Sequence, residues 1–247
     1  MHIHPPNKTA DSLKDHFIHF LMLFMAVLLG ALAENFRENY IEKNKEKEYL
    51  TSLVFDLSQD TLRLNTCINS RVEKNTNASK LISLLSESDI KNTKDIYYYT
   101  RLMTRVETFD GVDGTLNQLQ YSGGFRVIES QKIIKGINEY LYLRKNVYIF
   151  NEIEQNLLLQ LRNSISKVVK AEIFSRMLDP VQNKNYKYFI KPLDKNELLF
   201  SYSHPDINNL IYWISSEDGN IVLNMNQMEL LKNKGKDLIN LIKSEMK

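Results

Sequence analysis

A run of seventeen almost unbroken apolar residues near the start of the chain constrains its fold more than any other feature. It covers residues 17–33 and passes directly into a charged, helix-forming segment at residues 34–49. At about 1.5 Å per residue the run is roughly 25 Å long, the short end of what a hydrocarbon core of about 30 Å requires. Phe36 and Tyr40 extend the apolar surface into the interface, where aromatic rings are favoured. The run therefore predicts a single-pass transmembrane helix that follows an N-terminal tail of residues 1–16.

Two other interpretations of this run stay open. Ala31, Leu32 and Ala33 form a small-x-small site that a signal peptidase can cleave, placed just after Gly30. The tail before the run is long for a secretory signal, however, and it carries Asp11 among its charges. The run could also be the core helix of a soluble protein, but such helices are usually apolar on one face only. Because this run is apolar all round, we expect an uncleaved membrane anchor.

Basic residues near the two ends of the run indicate its orientation. The tail contains Lys8 and Lys14, whereas the segment after the run contains four basic residues: Arg37, Lys43, Lys45 and Lys47. By the positive-inside rule this excess favours a cytoplasmic domain, by a narrow margin. We therefore expect a protein of the bacterial inner membrane whose larger part faces the cytoplasm. The single cysteine, Cys67, excludes an internal disulfide and fits either side of the membrane.

Small residues within the run suggest a contact between two membrane helices. Ala26 and Gly30 form a small-xxx-small pair, and Ala33 lies near the same face. Because small side chains let two helices approach closely in lipid, these three residues predict a dimer seam. His19 lies one turn inside the membrane edge, and we expect it to reach the headgroups rather than to act within the lipid.

The composition of the chain favours helices and argues against a nucleic-acid surface. Its 32 basic and 30 acidic residues are mixed along the chain, which does not provide the positive field that nucleic acid requires. At 43% hydrophobic residues the chain can bury a substantial core. It contains only eight glycines and five prolines, which suits long helices and disfavours sandwiches and barrels.

Apolar residues recur at helical spacing along most of the chain after the anchor. From Phe36 this spacing predicts a helix that continues from the membrane to about Arg71. We expect Asn75 to Asn77 to break that helix, because asparagine and threonine compete with helical hydrogen bonds. The pattern then predicts two short helices and one irregular, turn-rich stretch, at residues 78–86, 94–106 and 108–124.

A second long helix is predicted in the middle of the chain. Ser130 can cap its N-terminus, apolar residues continue at helical spacing to Ile173, and Pro180 is expected to end it. Residues 184–202 are mixed in character. We expect a loop with some extended chain there, because apolar and aromatic residues alternate at Tyr186, Tyr188 and Ile190.

Two further helices are predicted at the C-terminus. Asp206 is expected to cap a short helix that ends at about Ser215, and Gly219 to separate it from a last helix at residues 221–246. Three long helices with apolar stripes can bury those stripes together in a bundle. The predicted fold is therefore all-α: a transmembrane helix, a juxtamembrane helical linker at residues 34–49, and an elongated antiparallel helical bundle at residues 50–247.

Residues able to support catalysis or bind metals are few. Four of the five histidines lie in the tail or the apolar run, which leaves His204 alone in the domain. This distribution argues against histidine-based catalysis, zinc sites and di-iron bundles, which need two Glu-x-x-His pairs. The acidic turn at Asp110 and Asp113 lacks the ligand spacing of a calcium loop, and no phosphate-binding glycine loop is present. We predict a non-enzymatic protein without cofactor or metal, although an enzyme that uses only carboxylates and tyrosines stays open.

Three short blocks of sequence carry a family resemblance. Residues 32–38 contain an Asn-x-Arg-Glu step, residues 46–60 contain a Tyr-Leu-x-x-Leu-x-x-Asp-Leu-x-x-Asp helix, and residues 116–128 contain a Ser-Gly turn before a long helix. In these blocks the chain resembles a group of Bacteroidetes-type membrane proteins to which no activity is assigned. The resemblance implies a single-pass protein with a helical extramembrane domain, and it supplies no catalytic residue. The positions that match its pattern most closely are Arg37 and Glu38 at the membrane edge and residues 121–125 at the turn.

These observations favour an interaction module over an enzyme. The leading prediction is a membrane-anchored helical scaffold that contacts the lipid bilayer and binds another protein or a second copy of itself. The alternative is a ligand-binding, sensor-like domain with an aromatic pocket between helices. Thirteen tyrosines make such a pocket feasible, and its predicted lining is Tyr97, Tyr98, Tyr99, Tyr140 and Tyr148.

Overall fold

The computed structural model describes residues 13–180 and 188–246. Its helices are α1 (Leu13–Leu85), α2 (Thr93–Met103), α3 (Gly114–Tyr121), α4 (Gln131–Val168), α5 (Ala171–Arg176) and α6 (His204–Glu245). A 3₁₀ turn at Gly124–Arg126 follows α3. Two three-residue strands, β1 (Leu178–Pro180) and β2 (Tyr188–Ile190), pair antiparallel as a small ribbon. The all-α prediction is confirmed, since a long apolar N-terminal helix continues into a helical bundle.

Helix α1 is the longest element, at 73 residues. Residues 15–40 of this helix are exposed, and the first buried residue after them is Leu50. Within the described chain, α1 is the one helix long and apolar enough to cross a membrane, and its most apolar stretch is not buried against the rest of the protein. The predicted continuity of this helix from the apolar run into the domain is therefore correct.

The three long helices pack with mixed directions. Helix α6 runs antiparallel to α1, because Lys74 contacts Glu217 while Thr61, nearer the apolar run, lies against Gly235. It also runs antiparallel to α4, since Ser164, late in α4, donates to Asn209, early in α6. Helices α1 and α4 run parallel to each other, because residues 86–130 carry the chain back toward the apolar run before α4 begins. The antiparallel prediction thus applies to α6 against its two partners.

Buried apolar side chains form two separate groups. The proximal core, nearer the apolar run, joins the start of the bundle part of α1 to the first half of α4 and the second half of α6. The distal core joins the end of α1 to α2, the second half of α4, α5 and the first half of α6. Leu53 and Ile137 are fully buried in the proximal core, and Leu81 and Leu210 in the distal core. Each long helix therefore contributes an apolar stripe to both cores.

The break predicted at residues 75–77 is absent, because α1 continues to Leu85. Two of the three polar side chains that could compete with the helix form hydrogen bonds that leave the helix intact. Asn75 donates to Asp218 of α6 at 2.8 Å, Thr76 donates to the carbonyl of Val72 at 3.0 Å, and Asn77 is buried. Tertiary contacts with α6 thus override a weak local preference for a turn, so the separate helix predicted at residues 78–86 is the end of α1.

The C-terminal region is also simpler than predicted, because α6 is one helix of 42 residues. Gly219 lies inside it rather than between two helices. The cap is Ser203, whose hydroxyl oxygen accepts from the backbone N–H of Asp206 at 3.3 Å. Asp206 occupies the third helical position, and its carboxylate accepts from the hydroxyl of Ser203 at 2.6 Å. The backbone N–H of Ser203 donates to the hydroxyl of Ser201 at 3.1 Å, so the reciprocal bond of a capping box is not formed.

Helix α4 begins as predicted and ends earlier than predicted. Ser130 caps it by accepting from the N–H of Ile133 at 3.3 Å. The helix ends at Val168, whose carbonyl accepts from Phe200 at 2.9 Å, and the short α5 follows before Pro180. The extended chain expected at residues 184–202 is present as β2, whereas Tyr186 lies outside the described residues.

Candidate functional site

A layer of charged and polar side chains lies between the two apolar cores. We call it the polar layer and define it by Arg71 and Lys74 of α1, Asn151 and Glu154 of α4, and Glu217, Asn220 and Asn224 of α6. Arg71 donates to Glu154 at 2.6 Å, and Lys74 donates to Glu217 at 2.7 Å. The Lys74 ammonium also lies 3.5 Å from the second oxygen of Glu154. Each long helix thus supplies at least one charge.

The asparagines of the polar layer extend these ion pairs into a network. The side-chain oxygen of Asn151 accepts from Arg71 at 3.3 Å and from Asn224 at 3.0 Å. Arg71 also donates to the backbone carbonyl of Glu107 at 2.6 Å, and Asn151 donates to that of Phe109 at 3.3 Å. The network therefore fixes the chain that enters the turn-rich stretch as well as the three long helices.

Burial sets the electrostatics of the polar layer. Exposure of the Arg71, Glu154 and Glu217 side chains is 2%, 1% and 0%. Burial raises the pKa of Glu217, and the Lys74 ammonium partly opposes that rise. One oxygen of Glu217, together with Arg71 Nε and Asn224 Oδ1, has no hydrogen-bond partner among the described residues. Two cations and two carboxylates balance formally, so loss of any one would leave an unpaired charge in the interior.

This arrangement can specify how the helices align, which is the best-attested role of buried polar groups in bundles. A shift of one turn along α1 would move Arg71 and Lys74 away from their carboxylates and into an apolar core. The four ion-paired residues are closed to solvent, so the polar layer offers no surface to a substrate. In the described ranges no group of three or more His, Cys, Asp or Glu residues could hold a metal ion.

A second polar network, the loop clamp, holds the turn-rich stretch against the proximal core. It consists of Asp56, Asp60, Asp113, Tyr140 and Arg144. Asp60 accepts from the Tyr140 hydroxyl and from the N–H of Val112, each at 2.7 Å. Asp56 accepts from the N–H of Thr115 at 3.1 Å, in the first turn of α3, and Arg144 forms an ion pair with Asp113.

The loop clamp explains the role of the acidic turn. Burial raises the pKa of Asp60, and the hydrogen bonds from Tyr140 and Val112 oppose the rise. Burial and the adjacent Asp60 carboxylate raise the pKa of Tyr140, so its hydroxyl remains a donor. The Asp113 carboxylate of this turn pairs with Arg144, an arginine of α4. Residues 114–121 of the predicted irregular stretch are helical as α3.

The predicted membrane-facing residues all lie on the exposed part of α1. Ala26, Gly30 and Ala33 share one face of the helix and are exposed, and a Cβ added at Gly30 would meet no atom within 4 Å. Arg37 forms its ion pair with Glu34, one turn earlier, rather than with Glu38. The face of the predicted dimer seam is thus available, and the juxtamembrane charges pair along the helix.

The five tyrosines of the predicted aromatic pocket do not come together. Tyr97 is buried in the distal core, where its hydroxyl donates to the carbonyl of Leu198 at 3.1 Å and accepts from the N–H of Lys170 at 3.0 Å. Tyr140 is buried in the proximal core as part of the loop clamp, and Tyr148 stacks on Phe109 beside it. These side chains serve as packing and hydrogen-bonding groups in two separate cores.

Comparison with known proteins adds no assignment, because no family model, no curated protein and no solved structure shows a significant match to the chain. The resemblance of residues 32–38, 46–60 and 116–128 to Bacteroidetes-type membrane proteins stays a prediction.

The polar layer is the main feature that the sequence analysis missed. A signal was present, because Arg71 and Lys74 continue the stripe of Leu64 and Ile68 at helical spacing. Glu154 likewise interrupts the apolar stripe of α4, and Glu217 that of α6. Charged residues in register with an apolar stripe indicate buried ion pairs, but only when partner helices are known to supply opposite charges at the same height.

Proposed function

We propose that this chain is a membrane-anchored, non-enzymatic helical interaction module. In this proposal residues 17–33 cross the bacterial inner membrane once and the bundle that starts at Leu50 lies in the cytoplasm. The observation that carries the proposal is the continuity of α1 from Leu13 to Leu85. Its first part is apolar and exposed, and its second part supplies one of the three long helices of the bundle. One helix thereby joins bilayer and bundle without a hinge.

The dimensions of α1 support a role in holding the bundle away from the lipid. Residues 34–49 add sixteen helical residues, or roughly 24 Å, between the apolar run and the bundle. From Ala33 to Leu85 the helix extends roughly 80 Å, which carries the distal core far from the bilayer. Because α1 also bears Arg71 and Lys74, a shift or rotation of the membrane helix would be transmitted directly to the polar layer.

Contact with a second copy is the partner that the exposed part of α1 supports. Ala26, Gly30 and Ala33 leave one face of the helix free of large side chains, so two anchors could approach closely. A dimer formed in this way would place two bundles side by side on one face of the membrane. The module would then serve as a paired scaffold for further proteins.

Topology and anchoring are tested by protease accessibility of a C-terminal tag in intact spheroplasts, read beside the mass of the membrane-bound product. A full-length product with a protected tag is expected. An accessible tag would contradict the cytoplasmic orientation. A product that lacks residues 1–33 would contradict the anchor and favour the cleaved-signal interpretation.

Dimerisation is tested by cysteine crosslinking in native membranes, in a background that carries Cys67→Ala to remove the native thiol. Ala26→Cys and Gly30→Cys are expected to form disulfide-linked dimers under mild oxidation. Leu28→Cys, on the opposite face of the same helix, is the matched control and is expected to remain monomeric. Equal crosslinking at all three positions would refute a specific seam, and no crosslinking at any of them would refute self-association through α1.

A further inference from the structure

A cavity of about 310 Å³ lies at the distal end of the bundle. It forms where the end of α2, the end of α4 and the short α5 meet the extended chain before α6. Its lining contains none of the five tyrosines of the predicted aromatic pocket. The residues that line it are Thr104, Arg162, Ile165, Ser166, Val169, Ala171, Phe174 and Phe200.

The inner wall of this distal cavity is apolar and firmly held. Ile165 and Val169 belong to the distal core and are almost fully buried, and Phe174 packs against the same core. Phe200 stands at the rim with 71% of its surface exposed, although its backbone N–H is held by the carbonyl of Val168 at 2.9 Å. A large ring kept exposed by a fixed backbone is a contact surface for an apolar group, because covering it releases water.

Arg162 provides the charged side of the distal cavity, and two further arginines, Arg101 and Arg105, lie close to it without lining it. Arg162 lines it and uses one of its five N–H donors on the carbonyl of Thr104, at 3.2 Å. The Arg101 guanidinium lies 4.2 Å from the centre of the Phe174 ring, and its Nε is buried without a partner among the described residues. Burial lowers the pKa of Arg101, and the positive charge of nearby Arg105 lowers it further.

The charge around the distal cavity is not balanced locally. Across residues 13–180 and 188–246, none of the ion pairs involves Arg101, Arg105 or Arg162. The lining contains no acidic side chain, and the nearest carboxylate along the chain is the exposed Glu172 of α5. An anion placed at the arginine side would therefore meet a positive field with unused donors.

We propose that the distal cavity binds an apolar carboxylate, with the apolar group against Ile165 and Phe174 and the carboxylate on Arg162. The volume lies at the small end of ligand sites, so a single aryl ring or a short alkyl chain is the expected size. A free small acid and the C-terminal residue of a polypeptide share this chemistry. The inference goes beyond the proposed interaction role, because it holds whichever side of the membrane the bundle occupies.

Binding is tested with the full chain in lipid nanodiscs, with 3-phenylpropanoate as the probe and saturation-transfer NMR as the readout. The neutral isostere 3-phenylpropanamide is the matched ligand control. Because a charge-assisted hydrogen bond is lost, the amide should bind at least about tenfold more weakly than the acid. Equal binding of acid and amide would overturn the proposal.

Three variants test the location of the site. Arg162→Gln should weaken binding of the acid about tenfold and leave binding of the amide unchanged. Ala171→Leu, an exposed position in the lining, should fill the cavity and abolish binding of both ligands without unfolding the bundle. Arg126→Gln, the same change at an exposed arginine near the proximal core, should have no effect. Wild-type affinity in both Arg162→Gln and Ala171→Leu, with unchanged thermal unfolding, would overturn the assignment.

The two sources of the carboxylate are separated with a short peptide that ends in phenylalanine. If this peptide binds more tightly than 3-phenylpropanoate and its C-terminal amide does not, the site takes the end of a polypeptide. If the free acid binds and the peptide does not, the site takes a small molecule. Failure of both free carboxylates to bind would overturn the proposal, while the crosslinking and topology experiments would still test the proposed function separately.

Discussion

Replacement of Glu154 by glutamine is the sharpest test of the polar layer. The change keeps the size of the side chain and removes its charge. In the folded protein Glu154 faces Arg71 at 2.6 Å and Lys74 at 3.5 Å, with 1% of its side chain exposed. After the change, two buried cations would share Glu217 as the one ion-paired carboxylate left in the layer.

The expected loss of stability is large. Removal of one partner from a buried ion pair costs about 3–5 kcal/mol, because the remaining charge stays desolvated without compensation. For a domain of about 200 residues, 1 kcal/mol corresponds to a shift in Tm of about 2–4 °C. Glu154→Gln should therefore lower Tm by roughly 10 °C.

The measurement is thermal unfolding of the full chain in nanodiscs, followed by far-ultraviolet circular dichroism. Glu139→Gln is the matched control, because Glu139 lies on the same helix and pairs with Lys234 and Lys135 at the surface. An exposed pair contributes about 1 kcal/mol or less, so this variant should shift Tm by no more than about 4 °C.

A double-mutant cycle of Glu154→Gln with Arg71→Met measures the coupling free energy between these two side chains. Each single change should be strongly destabilising, whereas the double variant should cost clearly less than the sum, because it removes both buried charges. Equal shifts for Glu154→Gln and Glu139→Gln, or strict additivity in the cycle, would refute the view that Glu154 is buried and paired.

Three further outcomes follow from the same contacts and are measured by the same unfolding assay. Gly219→Ala should stabilise α6 by about 0.5–1 kcal/mol, since a Cβ there meets nothing within 4 Å. Gly123→Ala should destabilise by about 1 kcal/mol or more, since the backbone φ at Gly123 is 72°, which residues with a Cβ rarely adopt. The opposite signs would contradict the structure at these two positions. Ser203→Ala should cost about 1 kcal/mol through loss of the α6 cap, and no change would argue against it. Burial raises the pKa of Glu217 in the folded protein above its ordinary 4.5, so folding favours the protonated carboxyl. The stabilisation that this provides is complete below pH 4.5 and is lost as the pH rises through the folded-state pKa. The Tm of Glu217→Gln relative to wild type should therefore rise with pH above 4.5, and a constant difference would count against the shift.

Local sequence signals predicted the elements whose formation depends on neighbouring residues. The apolar run at residues 17–33 requires a helix with nothing polar on any face, and α1 contains it as such. Ser130 predicts the start of α4 because a serine hydroxyl satisfies a free N–H in the first turn. The scarcity of glycine and proline predicted long helices, and the structure has three of them in the described chain.

Local signals failed where tertiary contacts outweigh small propensities. The residues at 75–77 and Gly219 each disfavour a helix by about 1 kcal/mol or less, and packing against a second helix exceeds that cost. Pro180 was likewise a poor guide to the end of α4. The helix ends earlier, at Val168, because the carbonyl of Val168 accepts a hydrogen bond from Phe200, which is distant in sequence. Whether a helix continues or ends at these positions therefore depends on residues that are distant in sequence.

The sequence by itself determined the helical class, the anchor-like run and the residues that carry each apolar stripe, because spacing and composition act along the chain. Only the tertiary structure decided which charges meet. Arg71 and Glu154 are distant in sequence, as are Lys74 and Glu217. The residues around each of these four positions do not indicate which charge it will pair with. The polar layer exists because the three long helices pack at one register, and the distal cavity exists because the end of α4 packs beside α5 and the chain before α6.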